Sequence, residues 1–356
     1  MSKKKNILLC YNYLASFVKK DVEIISSAYH ITSHDFHAKK KSDTPFRFLS
    51  QLIFLIKNIG KTDLIICEFA SYHSLLPALF GRLFRKPCLV IVGGTDAHYF
   101  PALQYGNWQK RFLNKATALT FQWCSHIAPK HHSLMKSEYT YDATEPTPQG
   151  IYARLPQLKT PFTEITNGYD AVKWHCTKPK KKNSFITVCS GWEFPFQYQL
   201  KGVDLIVEMA PLFPHCEFTI LGVPDESLIP QRYPNLKILP PVKNELLSDV
   251  LSQHEFYLQL SIAEGFPNSL CEAMLCECVP IGSNVFSIPE IIGNSGFVLN
   301  KRNADELKQL IETAIQSDTA SLGKAARKRI ADNYTLEMRR KNLLQFCERL
   351  LSGNTV

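Results

Sequence analysis

The stretch Ala263-Glu264-Gly265-Phe266-Pro267-Asn268-Ser269-Leu270-Cys271-Glu272-Ala273-Met274 follows an apolar run and is predicted to leave a strand and open a helix. Gly265 allows close backbone approach, Pro267 suits a first helical turn, and the amides near Asn268 to Leu270 lack preceding carbonyl partners. Their partial positive charge suits a phosphate or a sugar oxygen. Leu270, Ala273 and Met274 have the i, i+3, i+4 spacing of a buried face, which turns Glu272 to a different side and leaves Glu264 in the loop. Each carboxylate can accept from a vicinal diol, so two here can serve one polyhydroxylated ligand.

Outward from this stretch the second half alternates between apolar strands and helices. Strands are expected at Phe185 to Cys189, Glu217 to Leu221, Leu236 to Leu239, Phe256 to Leu260, Val279 to Gly282 and Gly296 to Leu299. The end reads as helix at Ala304 to Gln316, Leu322 to Asn333 and Leu336 to Leu351, with Thr335 as N-cap. The first half shows the same alternation: strands at Asn6 to Cys10, Asp63 to Cys67, Cys88 to Val92 and His126 to Pro129, with helices near Val18 to Ser27, Phe46 to Asn58 and Ser71 to Phe84. Such alternation implies parallel sheets covered by helices on both faces. Four prolines in Tyr141 to Pro161 read as irregular chain, and a boundary is placed near residue 165. The expected domains are 1–165 and 166–335, with 336–356 as a C-terminal helix packing back on the first.

At 356 residues the chain exceeds what one core usually supports. Its 45% hydrophobic and 21% charged composition is that of globular proteins. The net charge of +9 is uneven: residues 1–167 hold 21 Lys and Arg against 11 Asp and Glu, and residues 168–356 hold 20 against 21. A basic first half suits an anionic partner such as a lipid pyrophosphate or a membrane face. A nucleic-acid reading would rest on charge alone, without an aromatic-basic repeat. The eleven cysteines form no CxxC pair, which fits reduced thiols in a cytosol. Cys271, Cys276 and Cys278 lie in and after an apolar helical stretch without histidines at ligand spacing, so they read as small buried hydrophobes. The basic opening precedes only four apolar residues and reads as a first strand, not a signal peptide. The apolar runs Gln51 to Ile56 and Ser74 to Phe84 are too short to cross a bilayer, so membrane contact is expected to be peripheral.

The central stretch resembles the signature of the retaining GT-B glycosyltransferases of family 4, also called glycosyl transferases group 1. That signature is Glu, seven residues, Glu, here Glu264 and Glu272, with Gly265, Phe266, Ala273 and Met274 matching as well. Asn167-Gly168-Tyr169-Asp170 is similar to the family's Asn-Gly-Val-Asp linker element, and Lys201-Gly202-Val203-Asp204 to its donor-phosphate lysine. Leu221-Gly222 and Pro241-Val242 resemble the loops beside the nucleotide base, and Gly93-Gly94-Thr95-Asp96 resembles the Gly-x-Asp loop that faces the donor sugar.

The resemblance implies an α/β GT-B fold, two Rossmann-like doubly wound domains facing a cleft, and transfer of a sugar from a nucleotide-sugar donor to a glycan or lipid-linked acceptor, with retention. It assigns Glu264, Lys201 and Asp96 to catalysis, His98 as a further contact, and Glu272, Gly265, Phe266, Ser269, Leu270, Gly191 and Val242 to donor binding. No cofactor and no metal is implied, and no Asp-x-Asp motif occurs.

Two departures stand out. Ser190-Gly191-Trp192-Glu193 lacks the family's Arg, leaving Lys201 as the clear diphosphate cation, and Tyr11 to Phe17 lacks the family's glycine loop, which borders the acceptor. Lys130-His131-His132 has no carboxylate nearby in sequence and reads as a solvated face. A GT-B epimerase or phosphorylase and a non-catalytic sugar-binding relative are the competing readings.

Overall fold

The computed structural model describes residues 4–38, 40–192 and 194–353; the basic opening at 1–3 and Glu193 thus lie outside the described residues. The first lobe runs β1 (Asn6–Tyr11), α1 (Ser16–Ala28), β2 (His30–Asp35), α2 (Thr44–Asn58), β3 (Leu64–Glu68), α3 (Tyr72–Leu83), β4 (Cys88–Val92), α4 (Arg111–Trp123), β5 (His126–Pro129) and a short α5 (Ile151–Arg154). Its five strands lie parallel in the order β2-β1-β3-β4-β5. Strands β3, β4 and β5 are buried throughout, which is why they read as unbroken apolar runs.

Strand β2 has no counterpart among the strands expected from the sequence. Its residues, His-Ile-Thr-Ser-His-Asp, bury only His34, because an edge strand pairs on one side and here covers little core.

The second lobe runs β6 (Lys181–Val188), α6 (Gln197–Leu200), α7 (Val203–Met209), β7 (Glu217–Leu221), β8 (Leu236–Leu239), α8 (Leu247–Ser252), β9 (His254–Gln259), α9 (Asn268–Leu275), β10 (Val279–Ser283), α10 (Ile288–Ile292) and β11 (Phe297–Leu299). The sheet order is β11-β10-β9-β6-β7-β8, again all parallel. Phe185 stacks between Phe218 and Phe256 at centroid distances of 5.0 and 4.6 Å, joining the three central strands through one aromatic column.

Helices α11 (Ala304–Ile315) and α12 (Thr319–Asn333) finish this lobe, and α13 (Leu336–Leu351) follows. The Thr335 side chain accepts from the Met338 amide and caps α13. Leu343, Phe346 and Cys347 of α13 are buried with Ile7, Leu9, Ile25 and Ile66 of the first lobe.

The chain therefore crosses between lobes twice, and the crossings pair. Tyr169 N donates to Tyr334 O (2.9 Å), and Leu336 N donates to Tyr169 O (2.9 Å). A Cβ on Gly168 would lie 2.7 Å from Thr335 O, so glycine is what lets the two strands of chain touch there. The eleven cysteines are free, and Cys271, Cys276 and Cys278 are fully buried.

Candidate active site

The loops that follow the carboxyl ends of β4 and β9 meet between the lobes, at Gly93 and Gly265, and ligands of open α/β sheets bind outside such strand ends. Lys201 closes α6 and Glu264 lies in the loop after β9. The Lys201 ammonium donates to Glu264 Oε1, which also accepts from Ser261 Oγ at 3.0 Å and Gln259 Nε2 at 3.2 Å. Burial opposes the Lys201 charge, but Glu264 outweighs that cost and holds the ammonium above its usual range. Gly202 sits at φ +67° with its α-carbon against Leu260: an added Cβ would meet Leu260 O at 2.2 Å. That close approach places Lys201 over the end of β9.

Gly265 forms the seam between lobes. A Cβ there would fall 1.8 Å from Gly93 O, and one on Gly94 would lie 3.4 Å from Gly265 N. The two glycine loops thus touch backbone to backbone. Ser287 Oγ donates to Gly265 O at 2.9 Å and steadies the second-lobe side.

Asp96 holds the first-lobe side. Its Oδ1 accepts from Gly94 N (3.0 Å) and Gly93 N (3.2 Å), and its Oδ2 accepts from Ala70 N (3.0 Å). The side chain is fully buried, so the expectation that Asp96 faces the donor sugar is corrected. Its carboxylate is spent on three amides that shape the loop, and it acts as a positioning residue.

His98 is also fully buried, with neither ring nitrogen hydrogen-bonded. Its ring lies 4.4 Å from that of Phe286, and burial depresses its pKa to about 3, so it is a neutral imidazole beside Gly94.

The side chains of the signature helix divide between core and hinge. Leu270 is fully buried and Phe266 nearly so, stacked on Tyr169 and edge-on to Tyr334. As donor-binding residues they can offer backbone only, because their side chains belong to the core. Pro267 is the N-cap residue rather than the first helical one, and no side chain caps α9, which leaves the first amides for a ligand. Asn268 Oδ1 accepts from Asn167 Nδ2 (3.0 Å) and Tyr169 OH (2.8 Å), so the linker motif fastens directly to the helix start. Ser269 is half-buried, 3.5 Å from Gln259 Oε1.

Glu264 and Glu272 meet different cations. Glu272 is flanked by Lys20 of α1 and by Lys173; burial raises its pKa to about 7, and the two lysines pull it back only in part. Val242 lies exposed in the loop after β8.

A cleft of about 730 Å³ separates the lobes, with Thr95 and Lys110 on one side and Gly191 and Lys201 on the other. Gly191 adopts φ +85°, a conformation that glycine adopts without strain. Phe194 and Phe196 stack at 5.3 Å and Tyr105 approaches Phe196 at 5.5 Å, giving the cleft an aromatic wall. Lys110, Tyr105 and this pair of phenylalanines carry no signal in the sequence, since nothing in their spacing joins residues so far apart along the chain. Lys110 is a second cation lining the cleft, on the lobe opposite Lys201.

The reading of Lys130-His131-His132 as a solvated face holds for the exposed His132 and is corrected for the other two. Lys130 and His131 are buried, Lys130 lying 3.9 Å from the Phe17 ring centroid. Folding also supplies carboxylates absent from the local sequence: His131 Nε2 is 3.0 Å from Glu290 and His132 Nδ1 is 3.1 Å from Glu164. His131, His132 and Glu164 come close enough to share an ion, but these ring nitrogens already have carboxylate partners, and the group ties the first lobe to the linker and to α10.

Residues 188–317 match the glycosyl transferases group 1. The chain is 25% identical over 165 residues to the A component of the phosphatidylinositol N-acetylglucosaminyltransferase of Arabidopsis thaliana, covering 42% of this chain and 36% of that protein. It is 30% identical over 84 residues to O-antigen chain mannosyltransferase B of Escherichia coli, covering 24% of this chain and 22% of that protein. The chain thus spans only a minor part of the curated relatives it matches. Among solved structures, sucrose-phosphate synthase from Thermosynechococcus elongatus superposes with a TM-score of 0.71 at 13% identity, over 98% of this chain and 100% of that one. HepE of Anabaena, in complex with UDP and glucose, gives 0.70 at 14% identity, over 97% and 100%. These likenesses establish the GT-B architecture.

Proposed function

We propose that this chain, whose residues 188–317 match the glycosyl transferases group 1, moves a sugar from a nucleotide-sugar donor to a glycan or lipid-linked acceptor of a surface polysaccharide. The observation that carries this reading is the Lys201–Glu264 pair where two parallel sheets face one cleft. Breaking the anomeric bond builds negative charge on the leaving diphosphate. An ammonium and uncapped helix amides aimed at that charge lower the barrier. Lys201 supplies the first, α9 the second, and Lys110 from the opposite lobe is placed to add to them on closure.

In this reading Glu264 orients the donor sugar while Lys201 is shared with the diphosphate, and Glu272 holds donor hydroxyls from the second turn of α9. For the retention that the resemblance implies, a same-face displacement in which the leaving phosphate takes the acceptor proton suits a cleft whose described side chains offer no convincing nucleophile. The acceptor enters along the first lobe, whose excess of Lys and Arg suits an anionic lipid pyrophosphate or the inner face of a membrane. No helix among the described residues is long and apolar enough to cross a membrane.

Calorimetric titration with UDP, GDP, ADP and CMP in EDTA, repeated on Lys201→Ala, tests this function. One nucleotide is expected to bind, with at least tenfold weaker affinity in the variant. No binding by any nucleotide would overturn the transferase reading in favour of a non-catalytic relative.

A further inference from the structure

Helix α2 (Thr44–Asn58) presents its apolar residues outward. It buries Gln51 and Leu55, with Gln51 Nε2 donating to His73 O at 2.7 Å. On the other side Phe46, Leu49, Ile53 and Ile56 are 74, 56, 45 and 64% exposed. At about 100° per residue these four positions fall within a wedge of roughly 80°, a continuous stripe along a helix about 22 Å long. A soluble surface helix ordinarily turns such a stripe inward, and contiguous exposed apolar surface marks an interaction face.

Within α2 and the turn after it the charges have one sign, the nearest carboxylate being Asp43 at the helix N-cap. No Asp or Glu occurs between Asp43 and Asp63, whereas Arg47, Lys57 and Lys61 do. Lys57 and Lys61 are exposed. Helix α3, which packs against α2 through the Phe48–Tyr72 edge contact, ends in a second exposed pair, Leu83 and Phe84, beside Arg82, Arg85 and Lys86.

We infer that α2 is an interfacial docking helix that seats the first lobe on an anionic lipid bilayer. The four apolar side chains enter the headgroup–acyl boundary while the flanking lysines pair with lipid phosphates, the combination by which amphipathic helices lie in a membrane surface. A protein partner would meet the same apolar stripe but would have no reason to require the cations Lys57 and Lys61 beside it. The inference rests on the proposed role of the first lobe as the acceptor side: docking there sets the cleft beside lipid-linked acceptors held in the same membrane.

The test is flotation of the full chain with vesicles of phosphatidylcholine alone and of phosphatidylcholine with phosphatidylglycerol, at physiological salt, alongside nucleotide titration. The wild-type chain is expected to float with the anionic vesicles only. A variant combining Phe46→Ser, Leu49→Ser, Ile53→Ser and Ile56→Ser is expected to lose at least ~10-fold in vesicle partitioning, with nucleotide affinity unchanged. Because the substituted side chains are exposed the fold should tolerate them, and Lys57→Glu with Lys61→Glu provides a second route to the same loss.

A wild-type chain that binds nucleotide but stays in solution overturns the membrane face and leaves the transferase reading standing. Vesicle binding that persists in both variants overturns it equally. A wild-type dimer that the serine variant makes monomeric, without vesicle binding, overturns it by assigning the stripe to a second copy of the chain.

Discussion

Arg339 of α13 grips Asp21 of α1 through two nitrogens: Nε lies 2.7 Å from Oδ1, Nη2 reaches Oδ2, and both side chains are buried. Nη1 donates to Thr166 O at 2.6 Å and Ile165 O at 3.2 Å. One guanidinium therefore ties the C-terminal helix, the first helix and the linker together. Burial alone would raise the Asp21 pKa, but Arg339 overcomes it and holds the carboxyl below its ordinary range. Arg339→Met leaves that carboxylate buried and unpaired and is expected to cost about 3–5 kcal/mol in urea denaturation. The double variant with Asp21→Asn should cost less than the sum of the two single changes.

Lys201→Ala removes the ammonium while Ser261 and Gln259 still hold Glu264. Turnover is expected to fall by roughly 10²–10³-fold in a donor-hydrolysis or transfer assay. The thermal midpoint is also expected to fall, because the largely buried Glu264 carboxylate loses its countercharge, so turnover is compared at a temperature where both proteins are folded.

Asp96→Ala strands three amides, those of Ala70, Gly93 and Gly94. A loss of about 2–4 kcal/mol is expected by chemical denaturation, the cost of leaving buried donors unpaired. Turnover should drop beyond what the unfolded fraction explains, since the Gly93–Gly94 loop loses its anchor.

Gly265→Ala puts a methyl group where Gly93 O now lies, 1.8 Å from the Cβ position. The lobes must part to admit it. The expected result is a larger radius of gyration in small-angle scattering with turnover sharply reduced, while the far-ultraviolet dichroism of both sheets is preserved.

Glu272 has a folded pKa of about 7, above its ordinary value of 4.5, because burial disfavours its charge. A raised carboxyl contributes stability that is full below the unfolded value and is lost as pH rises through the folded one. Glu272→Gln removes this dependence. Its stability relative to the wild-type chain should therefore improve between pH 5 and pH 8, by on the order of 2 kcal/mol, read from denaturation midpoints at the two pH values.

Much of the frame is legible in the chain. Strands β4, β5 and β7 match their expected bounds residue for residue, since strands of a parallel sheet are covered on both faces and read as unbroken apolar runs; the edge strand β8 matches too, because three of its four residues are apolar. Strand β2 escapes that reading, because an edge strand needs little apolar surface. The site is legible in part: Lys201 and Glu264 meet at the cleft, whereas Asp96, expected there, is buried beneath its own loop.

Periodicity, backbone freedom and helix starts are local properties, and from them alone follow the two doubly wound lobes, the glycine loop before α9 and the resemblance to a family. Which charge meets which is a different kind of question, answered by packing. Glu272 lies beside Lys20, His131 beside Glu290 and Asp21 beside Arg339, each pair drawn from distant parts of the chain. Such pairings depend on distances of a few ångströms that exist only after the lobes have packed, and on the loss of water that makes each charge require its partner.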